Sequence, residues 1–189
     1  RILGRAKKGA STTDDFQLFF VDETTMSLRF PLRACWMKRG HQKRIPAFIS
    51  PNASYHLIGA YQWAKDQVFT QAVARKNSQT FIQFLEYLLI EQFPTQKIIP
   101  VMDNASYHKS EASLAALSVF EPRVQVFWLP KYCPTLNPIE RFWRHLKDLA
   151  CANKLDLSLD NLAQRVEKIL ATQNSPNHLL QLSFLDNIV

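Results

Sequence analysis

Apolar and polar positions change period about 70 residues into this chain, and that change sets the expected fold. Residues 16–21 (FQLFFV) form a continuous apolar run. It is long enough for a buried central strand and short for a helix. It ends at Asp22-Glu23-Thr24. Residues 26–37 (MSLRFPLRACWM) alternate loosely between apolar and basic side chains, as an exposed antiparallel strand would, with Pro31 marking an edge or a bulge. A turn dense in positive charge follows, from Lys38 to Arg44. Residues 55–63 and 67–73 are two further strands joined by a short Lys65-Asp66 turn, which completes an antiparallel meander.

From residue 78 the spacing becomes helical. Phe81, Phe84, Leu85, Leu88, Leu89 and Gln92 share one face of a helix predicted over 78–93, capped by Ser78 or Asn77 and ended by Pro94. Residues 97–102 form a short apolar strand that delivers Asp103-Asn104, residues 109–119 a second helix, and residues 124–129 (VQVFWL) another strand. The stretch LPKYCPTLNPIERFWRHLK (129–147) opens as a loop with Pro130 and Pro134 and closes as an aromatic, basic helix. Asn137 is placed to cap that helix, Pro138 suits its first position, and Glu140 completes a capping box at the third. A last helix covers 160–172, capped by Asp160, with Leu162, Val166, Ile169 and Leu170 at helical spacing. Residues 174–189 read as loosely packed or as ending in a short helix. A meander followed by alternating helices and strands predicts an α/β fold: a mixed sheet with antiparallel then parallel strands and helices on both faces.

A chain of 189 residues with nearly half its residues apolar suits one packed domain. Its longest apolar runs are far too short to cross a bilayer, and residues 1–15, basic and carrying Gly4 and Gly9, lack the apolar centre of a signal peptide. They read as a linker, so something is expected to have preceded them. Lys and Arg number 23 against 16 Asp and Glu, which favours an anionic partner, although a generically basic soluble protein has the same balance. The three cysteines are odd in number and show no C-x-x-C spacing, which argues against a disulfide framework or a cysteine zinc site.

Asp22 and Asp103 each follow an apolar strand, where the rim of a parallel-type sheet binds ligands. Each alone is accounted for by a turn or a cap, and Glu140 by its capping box. Three acids from three separate elements are, however, what a divalent-metal site for phosphoryl chemistry requires. Mg2+ takes hard oxygen ligands, and two ions about 4 Å apart can clamp the attacking and leaving oxygens of an in-line displacement. Water or a 3′-hydroxyl then serves as nucleophile. The sequence carries no G-x-S-x-G and no G-x-x-x-x-G-K-[ST].

Together FFVDET, PVMDNASYH and LPKYCPTLNPIERFWRHLK resemble the DDE transposases of the mariner-type superfamily, in particular their bacterial insertion-sequence branch. The resemblance covers roughly residues 16–153 and extends to Trp36, Lys38 and Gly40, a W-x-K-x-G-like turn. It implies a ribonuclease-H-like catalytic domain over 16–175, between a linker-like segment at 1–15 and a tail at 176–189. It implies that Asp22, Asp103 and Glu140 are the catalytic acids and hold two Mg2+ ions, for which Mn2+ can substitute. Asn104 and His108 are candidates to support that site, His108 more as a structural or DNA-facing residue than as a ligand. The 37 positions between Asp103 and Glu140 slightly exceed the family's usual spacing, a surplus expected around residues 111–122. The implied reaction is hydrolysis of a phosphodiester at the element's end, then attack of the freed 3′-hydroxyl on target DNA, with no covalent protein–DNA intermediate. Implied partners are double-stranded transposon-end and target DNA and a second copy of the chain; the implied setting is the bacterial cytoplasm, at the nucleoid.

Arg33, Lys38, Arg39, Lys43 and Arg44, with Arg29 and the aromatics Phe30 and Trp36, are candidates to track phosphates, or else form a solvated hairpin face. Arg141, Arg144 and Lys147, with His145, flank Glu140 on its helix and are candidates to border the same cleft. Phe142 and Trp143 are expected in the core. The helix-turn-helix modules of such transposases are not represented, so the reading is of a catalytic domain. Two rival readings stand beside it: a non-catalytic DNA-binding or dimerising relic, and a ribonuclease-H-type nuclease. The three intact acids speak against the first, and the NPIE segment with its basic, aromatic helix against the second.

Overall fold

The computed structural model describes residues 16–28, 33–41, 44, 53–131, 133–154, 156 and 158–173. The predicted linker (1–15), the tail (176–189), Arg29, Phe30, Pro31 and Lys43 lie outside the described residues.

Five strands form one sheet: β1 (Gln17–Ser27), β2 (Ser54–Gln62), β3 (Gln67–Val73), β4 (Ile98–Met102) and β5 (Phe127–Trp128), in the order β3-β2-β1-β4-β5. The meander β1-β2-β3 is antiparallel, while β1, β4 and β5 run parallel. Four α-helices stand among the described residues: α1 (Ser78–Glu86), α2 (Glu111–Val119), α3 (Ile139–Ala150) and α4 (Leu159–Gln173). This is the mixed α/β sheet that the sequence predicts.

Strand alternation in β1 splits the core into two layers. Phe19 and Val21 point to the face covered by α1 and α2, where Phe81, Phe84, Leu85 and Leu117 are buried. Phe20 and Met26 point to the opposite face, where Phe142, Trp143 and Leu146 of α3 meet Leu162 and Val166 of α4. Each such large side chain, fully buried, contributes roughly 1.5–3 kcal/mol. Where α3 ends, Arg165 of α4 donates to both carboxylate oxygens of Asp156 (2.5 and 2.7 Å) and to the Ala150 carbonyl (2.7 Å).

Several predicted boundaries are corrected. The first strand does not stop at Asp22. β2 pairs antiparallel along the whole run from Phe19 to Ser27, so Asp22, Glu23 and Thr24 stay extended despite their polarity. The separate strand predicted over 26–37 does not form among the described residues; Met26 belongs to β1, and residues 33–38 have no regular structure. The helix predicted over 78–93 is α-helical only to Glu86 and continues as a π-helical turn, Tyr87–Gln92. Wider turns of this kind shift the buried face. They leave Gln92 exposed and bring Phe93 inward onto Phe19 and Phe69, with ring centroids 4.9 and 5.1 Å away. Asn77 caps α1 in a reciprocal box with Thr80. At α4 the hydroxyl of Ser158, not Asp160, accepts from the third helical N–H (Asn161, 3.3 Å), and Asp160 falls within the first turn.

Candidate active site

Register positions the first two acids. β4 pairs parallel with β1 only from Gln17 to Phe20, with Phe20 opposite Val101. Asp22 lies two residues beyond Phe20 within β1, and Asp103 directly follows the last residue of β4. Asp22 shares its face with Phe20 and therefore with α3.

The third acid arrives on α3, and Gly59 decides how close α3 can come. Gly59 is the cross-strand partner of Asp22. A Cβ at Gly59 would stand 2.7 Å from Cη2 and 2.9 Å from Cζ2 of Trp143. Its absence lets the Trp143 ring lie against β2 and seats the first turn of α3, with Glu140, across from Asp22. Asp22, Asp103 and Glu140 then line one cleft of roughly 430 Å3, with Asn104, Ala105, Leu129, Pro130, Lys131, Cys133 and Asn137. Among the described residues none between 106 and 128 lines it.

The capping box at residues 137–140 does not form. Among the described residues no side chain caps α3; only the Asn137 carbonyl accepts from the Glu140 N–H (3.1 Å). Asn137 is buried (4% exposed), and its Nδ2 instead donates to the Val21 carbonyl of β1 (3.4 Å). A backbone acceptor beside Asp22 has taken the amide, and the Glu140 carboxylate is left exposed to the cleft.

The acids differ in electrostatic setting. Burial raises the Asp22 carboxyl from 3.8 to about 7, reinforced by repulsion from Glu140, Glu23 and, least, Asp103. Asp103 is lowered, first by its hydrogen bond to His108 and further by the Ala105 N–H. The ring of His108 is fully buried (0% exposed) and bridges Asp103 Oδ1 (3.0 Å) and Glu23 Oε1 (2.9 Å). Burial opposes charge on that ring, but hydrogen bonds to both carboxylates outweigh it and raise His108 to about 9. Tyr107 donates its hydroxyl to Glu23 Oε2 (2.7 Å); burial and the Glu23 charge push that phenol up. Asn104 joins the two strand ends: its amide donates to the Leu129 carbonyl and its oxygen accepts from Lys109, whose ammonium lies over Trp128.

These donors suit a hard cation. They are carboxylate oxygens, joined on the cleft wall by a buried Asn137 Oδ1 that has no partner among the described residues. Among the described residues no three His, Cys, Asp or Glu side chains converge closely enough to ligate one ion unaided. The cleft leaves room for water and phosphate oxygens to complete a coordination shell, as Mg2+ sites commonly do.

The basic candidates fall elsewhere. Arg33 is engaged at the far end of α3: its Nε donates to Asp148 (3.0 Å), and its backbone N–H and carbonyl bond the Asn153 side chain (2.9 Å each). Lys38, Arg39 and Arg44 are exposed, the first two at a turn completed by Gly40 (φ +83) and a His41 N–H to Lys38 carbonyl bond of 3.0 Å. Trp36 beside them is fully exposed. Arg144 and Lys147, four and seven residues beyond Glu140, continue its stripe along α3, whereas Arg141 is half-buried to one side. Among the described residues none of these lines the cleft, whereas Lys131 does. Phe142 and Trp143 are core residues. Sequence reasoning missed Lys131, Glu23, Tyr107 and the role of Asn137. Only Glu23 carried a usable signal, since the neighbour of a strand acid must point to the opposite face.

Residues 17–162 match the sequence family described as DDE superfamily endonuclease. The chain is 30% identical over 157 residues to an insertion element IS630 uncharacterized 39 kDa protein from Shigella sonnei, covering 82% of this chain and 45% of that protein. Its fold is similar to the Mos1 transposase in a paired-end complex with the left transposon end (TM-score 0.66, 17% identity, 90% of this chain and 51% of that one). It is also similar to the HTLV-2 integrase catalytic core domain in complex with magnesium (TM-score 0.53, 17% identity, 85% and 86%). The chain thus spans about half the length of the insertion-element protein and of the Mos1 chain. The matched segment contains all three cleft acids, and this chain belongs to the DDE superfamily endonucleases.

Proposed function

We propose that this chain is the catalytic domain of an insertion-element transposase, which hydrolyses phosphodiester bonds at transposon ends and joins the freed 3′ ends to target DNA. The observation that carries this reading is the position of Asp22, Asp103 and Glu140, from three elements, on the walls of one cleft. Those three acids would hold Mg2+, two ions in the full site, with Mn2+ as a substitute. When bound, the cations supply Lewis-acid stabilisation of the charge that develops on the transferred phosphoryl oxygens.

The chain's own residues do the rest. Asp103 enters the site ionised and already oriented by His108 and Ala105. The raised proton affinity of Asp22 reflects burial first and the neighbouring acids second, and a bound cation would favour its charged form against both. Lys131 lines the same cleft, where an ammonium pairs with a phosphate as a point charge. Lys38, Arg39 and Arg44 on the exposed turn, and Arg144 and Lys147 along α3, offer phosphate contacts away from the reacting bond. The DNA-bound paired-end assembly of the Mos1 relative supports a dimer on double-stranded DNA as the working form.

The test is nicking of supercoiled plasmid with Mn2+ or Mg2+, alongside Asp103→Ala and an EDTA control. Metal-dependent nicking that the substitution reduces by about three orders of magnitude is expected for loss of a group acting on the transition state. A wild type that neither nicks DNA nor binds Mn2+ would leave a DNA-binding relic as the better account.

A further inference from the structure

Asp22 and Glu23 are neighbours on β1, and the pleat sends them to opposite faces. Asp22 meets the cleft, while Glu23 turns beneath it, among the residues packed by α1 and α2. There Glu23 is almost completely buried (6% exposed side chain) yet has a partner for each oxygen, His108 on Oε1 and Tyr107 on Oε2. His108 is clamped between the rings of Phe81 and Tyr107, with centroids 4.5 and 4.6 Å away, so it has little freedom to tilt. Its second nitrogen reaches Asp103 Oδ1, which also accepts from the Ala105 N–H. Two hydrogen bonds therefore converge on one oxygen of Asp103, and Oδ2 has no protein partner among the described residues.

We propose that Glu23 is a positioning residue of the catalytic site, acting through His108 to fix the carboxylate plane of Asp103 so that Oδ2 is the oxygen presented to the cation. The claim rests on the reading of Asp103 as a ligand. Burying a carboxylate is costly unless it is fully hydrogen-bonded; Tyr107 and His108 satisfy both oxygens of Glu23, and the second nitrogen of the same imidazole carries the chain on to Asp103. The arrangement is the carboxylate–histidine support found behind metal ligands in general, with the ligand here a carboxylate rather than the imidazole.

The role separates from mere packing by two substitutions of the same volume class. Gln at position 23 can donate its amide to His108 Nε2 and accept from the Tyr107 hydroxyl, which leaves His108 Nδ1–H directed at Asp103. Leu fills the space and holds nothing. Mn2+ alone is titrated into this chain and its two variants, followed by electron paramagnetic resonance. The 15N–1H signal of the His108 ring is recorded without metal in the same samples.

Glu23→Gln is expected to keep the exchange-protected Nδ1–H signal and to bind Mn2+ within about threefold of wild type. Glu23→Leu is expected to lose that signal and to weaken Mn2+ binding about 10- to 100-fold, the usual cost of removing such a support. A Glu23→Leu protein with the ring signal and Mn2+ affinity of wild type overturns the proposal, and so does a Glu23→Gln protein as impaired as Glu23→Leu. If wild type takes up no Mn2+, the transposase reading fails, and the ring signal still decides whether Glu23 orients His108. Should Glu23→Leu not fold, Tyr107→Phe releases Glu23 Oε2 alone. It is expected to broaden the ring signal and weaken Mn2+ binding about threefold to fivefold, and an unchanged signal and affinity there also overturn the proposal.

Discussion

Asp103 and Glu140 line the same cleft, and the chain treats them in opposite ways. Asp103 leaves β4 with one oxygen held by a backbone N–H and a buried histidine, itself fixed by Glu23 and two aromatic rings. Glu140 stands exposed in the first turn of α3, with no side-chain hydrogen bond or ion pair among the described residues. One wall is set before any ligand arrives; the other is held only through its backbone, by the packing of Trp143 on Gly59. Fixed ligands reduce the entropy lost on binding. A free carboxylate on a well-seated helix can still adjust as a cation and a phosphate enter.

The largest effect on this contrast is expected from the seat of α3. A valine at Gly59 would drive its Cβ into the Trp143 ring, at 2.7 Å, and into the Phe69 carbonyl, at 3.2 Å. Gly59→Val is expected to destabilise the fold by about 3 kcal/mol, as overpacking in a closed core does, and to weaken Mn2+ binding by displacing Glu140. Urea unfolding and a Mn2+ titration check both; a stable variant with normal affinity would show that Gly59 does not set the position of α3.

A smaller effect concerns Asp22. Its folded carboxyl titrates near 7, above the unfolded value of 3.8, because burial and the neighbouring acids disfavour its charge. The folded state therefore holds an extra proton between those values. The stability this gives is fully present below about pH 4 and is lost as pH rises through 7. The full shift would amount to roughly 4 kcal/mol, which solvent screening at this part-exposed cleft residue roughly halves; Asp22→Asn, which cannot ionise, is therefore expected to be about 2 kcal/mol more stable than wild type at pH 8 without metal, and no more stable at pH 4. Saturating Mn2+ should stabilise the wild type and do little for the variant. Parallel pH profiles of the two proteins would contradict the assignment.

The smallest effect tests whether the contrast is confined to the cleft. Arg33 and Asp148 form an ion pair in which both side chains are about half exposed. Asp148→Asn is expected to cost about 0.5 kcal/mol or less, diminishing further with salt, and to leave Mn2+ affinity unchanged. A loss of affinity would couple the loop at residues 33–41 to the site.

Much of this molecule is legible in the order of its residues, and the failures share one cause. FQLFFV and IIPVM read correctly as strands because their local pattern and their burial agree. The polar run Asp22-Glu23-Thr24 read as a strand end because nothing local says that β2 will pair along it. Asn137 and Glu140 fit a capping box at the right spacing, yet a carbonyl 116 residues away took the amide. Gln92 fits the α-helical face, but Phe93 packs with Phe19 and Phe69, and a π-helical turn results. In each case a partner distant in sequence overrode a sound local preference. His108 was recognisable as a candidate from its place in MDNASYH, whereas its bond to Glu23, 85 residues away, was not.

The most direct test of the central claim is a crystal of this chain soaked in Mn2+ and measured at the manganese absorption edge. The account predicts anomalous density within ligating distance, about 2.0–2.3 Å, of Asp22 and of Asp103 Oδ2. It predicts that Glu140 turns from solvent toward that density while Asp103 keeps its plane. Manganese bound elsewhere, or an Asp103 that swings to meet it while Glu140 stays in solvent, would contradict the account.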